Sequence, residues 1–482
     1  MRDDSSVATP ADHPGPAAPG APGQPGQDSQ SGPPGPPGQP DPNALLRSRS
    51  YLQLLILAAI LGVPISAAAY GFLALVSYLQ EEIFTHLPHG LGFATEPVWW
   101  PLPVLVVGGV LVGLAIRYLP GRGGASPAPG FALHPPPTPV QLPGVILAAL
   151  ATLVFGVVLG PEMPLIAIGG GLGVLVTRIN RRRTVPEQAV RILGATGSFA
   201  AISTLLGSPI VGAFLLMEAS GLGGPMLGLV LVPGLLASGI GSLIFIGLDS
   251  LTGLGTFSLA IPSLPHFARP NLAEFGWAVA IGLAAAVVGP GIRWLALFLK
   301  PYADRWVMLA LPLAGAVIAV LAIIYAEGTG KATSEVLFSG QDDIGPLIHN
   351  ASSYTVGALL LLLVCKGLAY GVSLSGFRGG PIFPAMFIGA AAGIAMSHLP
   401  GLPLVPAVAM GIGAMSVVML TVPLTSVLLA TLLLASDGLA VMPLVIVAVV
   451  VAHVAAAYIA PRPAAAQPTA AGQPAAQATP RG

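Results

Sequence analysis

From Gly379 to Ser436 the chain carries no Asp, Glu, Lys or Arg. About 20 apolar residues are enough to cross the hydrocarbon core of a bilayer, so this stretch alone can cross twice. The rest of the chain agrees: of 482 residues, 54% are hydrophobic and 8% charged, against about 25% charged in soluble domains. So few charges cannot cover the surface of a soluble protein of this size. Lipid is the natural solvent, and an all-α integral membrane protein follows, because a helix satisfies its own backbone.

The same counts exclude several classes of function. A formal net charge of zero removes the argument for a nucleic-acid partner. Cys365 is the sole cysteine, so there is no disulfide framework and no thiolate metal site. No histidine spacing resembles HExxH, and neither a metal nor a cofactor is expected. No Ser/His/Asp arrangement is visible, and Asp249 and Asp437, the acids an intramembrane enzyme would pair, each fall at a helix end; the chain is not read as an enzyme. A cation-coupled nutrient carrier would prefer acidic or carbonyl-lined sites, whereas the clearest features here are helix N-termini.

Residues 1–45 and 462–482 are rich in Pro, Gly, Ala and Gln. They cannot bury enough apolar surface to offset the entropy of ordering and read as disordered tails. Residues 46–461 read as one membrane domain, with halves at about 50–250 and 268–460. Several of its hydrophobic stretches, such as 141–159, 164–177, 383–397 and 424–435, are shorter than a full span and are cut by glycine and proline, of which the chain has 62 and 50. Short interrupted segments predict helices that end inside the membrane, which is tolerated only where they are buried in protein or line a cavity. Arg47 and Arg49 before the first span, Arg117 and Arg122 after the second, and Arg178, Arg181, Arg182, Arg183 and Arg191 in a later loop place the N-terminus on the cytoplasmic side. Arg293, Lys300 and Arg305 against Glu327, Glu335, Asp342 and Asp343 give the second half the opposite starting face. Trp99 and Trp100 suit the interfacial belt.

An internal repeat supports that inversion. GPEMPLIAIGGGLG (160–173) and GPIFPAMFIGAAAG (380–393) match at six of fourteen positions without gaps, and GSFAAISTLLGSP (197–209) resembles GIGAMSVVMLTVP (411–423). The offsets, 220 and 214 residues, are nearly equal and the order is the same. Transporters built from inverted repeats hold substrate near the midplane, where broken helices meet.

Each repeat opens on a helix-start signal. In Gly160-Pro161-Glu162-Met163-Pro164 the glycine permits a tight approach and the proline suits a first helical turn. The free N–H groups and the positive end of the dipole attract anions. Glu162 sits at that end, so its carboxylate can occupy the anion site and leave it when protonated or displaced; the alternative is an acid that stabilises its own helix. Gly379-Gly380-Pro381-Ile382-Phe383-Pro384 has no acid, and Ile382 stands where the first repeat has Glu162, leaving N–H groups free. A third segment, Gly121 to Pro129 (GRGGASPAP), reads as the start of a weakly helical stretch in which Ser126 offers a hydroxyl, or as an ordinary loop.

The order of these three segments resembles that of the CLC family of chloride channels and chloride/proton exchangers, whose motifs run GSGIP, GREGP or GKEGP, then GxFxP. GPEMP is similar to the second at its first, third and last positions, GGPIFP to the third, and GGASPAP loosely to the first. ATGSFAAISTLLGSPIVGAFLLMEA (195–219) resembles the segment after the family's gating glutamate. The likeness covers roughly residues 50 to 460. It implies an inverted-repeat fold of many tilted and broken helices and a homodimer with one pore per subunit. It makes Glu162 the gate and Ser126, Gly160, Met163, Gly380, Ile382 and Phe383 the anion-binding candidates. Chloride or a similar anion, the lipid bilayer and protons are the implied partners. Two family positions differ. Ala219 stands where many exchangers have a second glutamate, leaving the adjacent Glu218 or water as the proton route, and alanine and proline lie near 464 where a tyrosine is expected, Tyr458 being about a helical turn too early. The resulting expectation is a channel-like or weakly proton-coupled conductance gated by Glu162, with a chloride/proton antiporter using Glu162 and Glu218 or water as the alternative. Lys366, alone in an apolar segment, is expected to attract anions, pair with an acid or snorkel to the interface.

Overall fold

In lipid an unpaired backbone group is costly, so a helical segment that faces lipid satisfies its own backbone, and a break is tolerated only where it is buried in protein or lines a cavity. The computed structural model describes residues 47–179, 187–221, 225–257, 259, 261, 266, 267, 269–434 and 438–459. The two terminal tails, Arg181 to Arg183, Asp437 and position 464 lie outside the described residues. Among those described there is no β-strand, and the main helices are α1 (Arg49–Glu81), α2 (Pro101–Tyr118), α3 (Leu142–Val154), α4 (Glu162–Ile179), α5 (Glu187–Ala201), α6 (Pro209–Ser220), α7 (Pro225–Thr252), α8 (Leu272–Arg305), α9 (Val307–Thr329), α10 (Val356–Gly376), α11 (Ile382–Ser397), α12 (Leu404–Leu420), α13 (Pro423–Leu433) and α14 (Gly438–Ile459).

Seven helices are long and apolar enough to cross a membrane, and the rest of this set have apolar segments of only 10–17 residues. At about 1.5 Å rise per residue the latter fall short of a 30 Å core. Local chemistry explains where they start. Pro209, Leu142-Pro143 and Pro423 open α6, α3 and α13, where a missing N–H does no harm. Asn271 and Glu274 close a reciprocal capping box on α8, and Thr355 caps α10 through the Ala358 N–H.

The two halves correspond helix by helix, α1–α7 to α8–α14, in how they pack. α4 lies on α5 as α11 lies on α12; α1 lies on α7 as α8 lies on α14; α6 lies on α7 as α13 lies on α14. The contacts are built from small residues, as expected where lipid supplies no hydrophobic drive between helices. A Cβ on Gly169 would strike the Gly197 carbonyl and one on Gly197 the Gly169 carbonyl. Gly389 and Gly411 repeat that reciprocal contact in the second half, and these four glycines are the positions paired by the 220- and 214-residue offsets. α2 and α9 pack on each other across the halves: a Cβ on Gly109 would meet the Leu311 carbonyl, and one on Gly315 the Leu105 carbonyl. Such reciprocity is what a two-fold relation produces.

One expectation about local structure fails. Residues from Gly121 to Gln141 form turns and extended chain, with no helix after GRGGASPAP. Pro127, Pro129 and Pro135 to Pro137 supply no N–H and bias the residues before them away from helical dihedrals. Gly121, Arg122, Gly123, Gly124 and Gly130 all have positive φ.

Close approach at the α2–α9 crossing gives a direct test. Gly109→Val and Gly315→Val should each destabilise the purified protein by about 1–3 kcal/mol, the usual effect of overpacking. Equal melting temperatures for variants and parent would refute the crossing.

Candidate anion site

Gly160 and Gly380, repeat mates, are hydrogen-bonded to each other. The Gly160 N–H donates to the Gly380 carbonyl at 2.8 Å and the Gly380 N–H donates to the Gly160 carbonyl at 2.7 Å, an isolated antiparallel bridge. One proline after each glycine, α4 begins at Glu162 and α11 at Ile382. The bridge therefore holds two helix N-termini against each other, so their partial positive charges converge.

Glu162 fills the junction. Its side chain is fully buried. Oε1 accepts a 2.5 Å hydrogen bond from the Ile382 N–H, and Oε2 has no partner among the described residues. The carboxylate thus sits where a free anion would meet the N-terminus of α11. Both bridge residues must be glycine for this: a Cβ on Gly160 would run into the Glu162 carboxyl and the Phe383 ring, and one on Gly380 into the Glu162 carboxyl. Ile382 and Phe383 are fully buried. The Tyr370 hydroxyl, from α10, donates to the Pro381 carbonyl at 2.7 Å and fixes the start of α11.

Two cavities border residues adjacent to Glu162. One, of about 460 Å³, is bordered by Leu159, Pro161, Phe257, Gln341 and Asp342. The other, of about 180 Å³, is bordered by Gly123, Gly124, Ala125, Met163, Arg378 and Gly379. Pro161 and Met163, which flank Glu162 in sequence, border different cavities.

The remaining candidates are placed as follows. Met163 lines the smaller cavity. Ser126 follows Ala125, which borders that cavity, and the Ser126 hydroxyl is buried without a partner among the described residues. Glu218, at the end of α6, is not brought to Glu162 by any hydrogen bond. Its Oε1 accepts from the Leu424 N–H at 2.9 Å, and its Oε2 accepts from the Thr425 N–H at 2.8 Å and the Thr425 hydroxyl at 2.7 Å. It caps the first turn of α13. Tyr458 is 86% exposed on the last turn of α14.

Lys366 takes a fourth course beyond those expected. It is fully buried and donates to the carbonyls of Glu335 (2.8 Å), Val336 (3.2 Å) and Leu337 (3.0 Å), with its ammonium 4.2 Å from the centre of the Phe387 ring. The Glu335 carboxylate accepts from the hydroxyls of Tyr325 and Tyr354. Together they pin the loop that borders the larger cavity. Asp343 on that loop is pushed up to about 6, first by burial, against the pull of Lys366.

Tyr370 and Arg378 escaped the sequence reading. Tyr370 leaves no signal, since an aromatic in an apolar helix is ordinary. Arg378 does leave one: it is a cation directly before Gly379-Gly380, at the edge of the charge-free stretch, and intramembrane charges are seldom idle.

A sequence profile described as "Voltage gated chloride channel" matches residues 108–457. The chain belongs to this CLC family. It is 33% identical over 355 residues to the protein named "Putative ion-transport protein YfeO" of Salmonella choleraesuis (strain SC-B67), covering 72% of this chain and 80% of the relative, with the same figures for the Salmonella typhimurium protein of that name. Among solved structures, a slow cyanobacterial Cl⁻/H⁺ antiporter aligns with a TM-score of 0.67 at 20% identity, over 85% of this chain and 95% of that one. A CLC-type fluoride/proton antiporter aligns at 0.60 and 18% identity, over 84% and 95%. These likenesses show the CLC fold, with its inverted halves, in a multi-pass membrane protein. Anion transport is the family's activity, and its members are transporters or channels.

Two outcomes are expected of this CLC site. Gly380→Ala should expel the Glu162 carboxyl from the Ile382 N–H; a structure of the variant with that hydrogen bond intact would contradict the packing argument. The raised carboxyl of Asp343 makes the folded state bind more protons than the unfolded one between the ordinary Asp range and about 6, so stability drains away as pH rises through that window. Asp343→Asn should flatten the fall in melting temperature from pH 4 to pH 6, and an unaltered slope would refute it.

Proposed function

We propose that the chain moves chloride-type anions through a pore lined by the N-termini of α4 and α11, with Glu162 as the gate. The observation that carries this reading is the position of the Glu162 carboxylate. It accepts from the Ile382 N–H at 2.5 Å and keeps a second buried oxygen without a partner among the described residues, and the residues on either side of it in sequence border different cavities. An anion and this carboxylate compete for one site. Protonation removes the charge that holds the carboxyl there, and an anion then takes the N–H groups. Gly160, Gly380, Ile382 and Phe383 shape the site, and Met163 and Ser126 border its approach.

Coupling to protons divides into two readings. In the first, transport is channel-like or weakly coupled. It is favoured by Ala219 and by the hydrogen bonds that commit both oxygens of Glu218 to capping α13. In the second, the chain exchanges chloride for protons through Glu162, with Glu218 or water completing the route. It is favoured by the antiporters among the structures with the same fold. The chain works as a homodimer with one pore per subunit and with its N-terminus in the cytoplasm.

Chloride efflux from liposomes holding the purified protein, with proton movement recorded in the same sample, tests these readings. Efflux with stoichiometric opposed proton uptake selects the exchanger; efflux without it selects the conductance; no anion flux refutes both. Glu162→Ala should abolish pH-dependent gating and any proton coupling while preserving anion flux, and pH dependence identical to that of the parent would remove Glu162 from the gate.

A further inference from the structure

The larger cavity has one charge on its border, and its sign opposes the anion traffic proposed above. Among the described residues that border it, Asp342 alone is charged. The polar side chains of Ser77, Gln80, Thr256, Ser339 and Gln341 around the same space are neutral. Asp342 is exposed, and its carboxylate has no hydrogen bond or ion pair among the described residues. The surrounding protein limits its hydration and raises its carboxyl from the usual aspartate range.

The backbone that carries this charge is tied down on both sides. Lys366 holds the carbonyls of Glu335, Val336 and Leu337 earlier in the loop. The Phe338 N–H donates to the Gly156 carbonyl at 3.1 Å. Gly340, at positive φ, lies so close to Phe387 that a Cβ would strike the ring. Gln341 Nε2 donates to the Phe257 carbonyl at 2.9 Å. The charges nearby do not cancel Asp342. Asp343 and Glu335 of the same loop are acids. Lys366, on α10, is engaged by carbonyls, and its charge is felt at Asp343. Asp249, near the end of α7, accepts from the Gly255 N–H at 2.8 Å. Glu81 and Glu82, just past Gln80, share His86. Glu162 follows Pro161, which borders the cavity.

We propose that Asp342 is a rate-setting charge of the anion route: its carboxylate opposes the entry of anions through the larger cavity toward Glu162. The proposal rests on the transport reading above. A cation at this place would gather anions, whereas a fixed carboxylate raises the energy of an anion anywhere in a space of about 460 Å³. Asp342 acts through its field and touches neither the Ile382 N–H nor the Glu162 carboxyl.

A thiol at Ser77, on α1, reads the field of this cavity without any transport. Ser77 borders the cavity and is exposed, and the native thiol, Cys365, is buried. The measurement is the ratio of the rates at which Ser77→Cys reacts with a cationic and an anionic methanethiosulfonate of similar size, at about pH 8, where Asp342 is ionised. Adding Asp342→Asn should lower the cation-to-anion ratio about tenfold, about threefold on each reagent, the effect of one charge acting through water over a cavity of this width. The difference should vanish at about 1 M salt, where the Debye length is about 3 Å. In liposomes at about 10 mM ionic strength, Asp342→Asn should raise chloride flux about threefold, and at about 1 M it should match the parent. Asp342→Glu, which keeps the charge, should match the parent in both assays. A merely structural Asp342 would lower the melting temperature of Asp342→Asn and leave the labelling ratio unmoved, which overturns the proposal, as does a shifted ratio with chloride flux equal to the parent's. Should Asp342→Asn not fold, Thr256→Lys sets a cation on the same border; ratio and flux should move in the same directions, and unchanged values overturn the proposal. No anion flux in the parent refutes the transport reading, whereas parent flux with an unmoved ratio refutes this proposal alone.

Discussion

Everything near the site depends on two hydrogen bonds between Gly160 and Gly380. They join residues that occupy the same place in the two halves, and they do so where each chain segment turns into a helix. A helix N-terminus alone inside a membrane carries several unpaired N–H groups and is unstable. Set against its repeat mate and filled by the Glu162 carboxyl, which accepts from the Ile382 N–H, the pair becomes a stable junction. The symmetry of the backbone and the asymmetry of one residue, Glu162 against Ile382, both shape the junction. Two glutamates would repel each other there, and two isoleucines would leave it without the proposed gate.

The rest of the fold serves to hold that junction still. Gly169 with Gly197, and Gly389 with Gly411, let α4 and α11 press against α5 and α12 at backbone distance. Tyr370 holds the Pro381 carbonyl, and Lys366 holds three carbonyls of the loop over the larger cavity. Lys366 shows how a buried charge in a membrane protein can be purely tensile: three carbonyls and an aromatic face take the place of water. Arg378 is the contrasting case, because its carbonyl contacts leave Nε without a partner among the described residues while the residue borders a cavity.

Glu162, Gly160 and Gly380 were legible in the sequence because each sits in a short motif whose physics is local: glycine for approach, proline for helix start, a charge too expensive to be idle. The repeat was legible because small residues recur at the offsets where helices touch. Ser126 was legible as a hydroxyl but the turns and extended chain around it were not, since the proline-rich chain there follows no helical period. Glu218 looked like a proton acceptor from its place at the end of an apolar helix. Its commitment to Leu424 and Thr425, more than 200 residues away, has no trace in the neighbouring residues.

By itself the sequence determined the membrane environment, the helical class, the two-halved plan and the glutamate at a helix start, because hydropathy, glycine and proline act over a few residues. Tertiary structure alone decided which helix starts meet, which oxygen of Glu162 lacks a partner among the described residues, that Lys366 and Glu218 are fastened to distant backbone, and that Arg378 borders a cavity. Those are matters of which atoms lie within about 3 Å across separate segments, the range at which hydrogen bonds form. No periodicity along the chain encodes them.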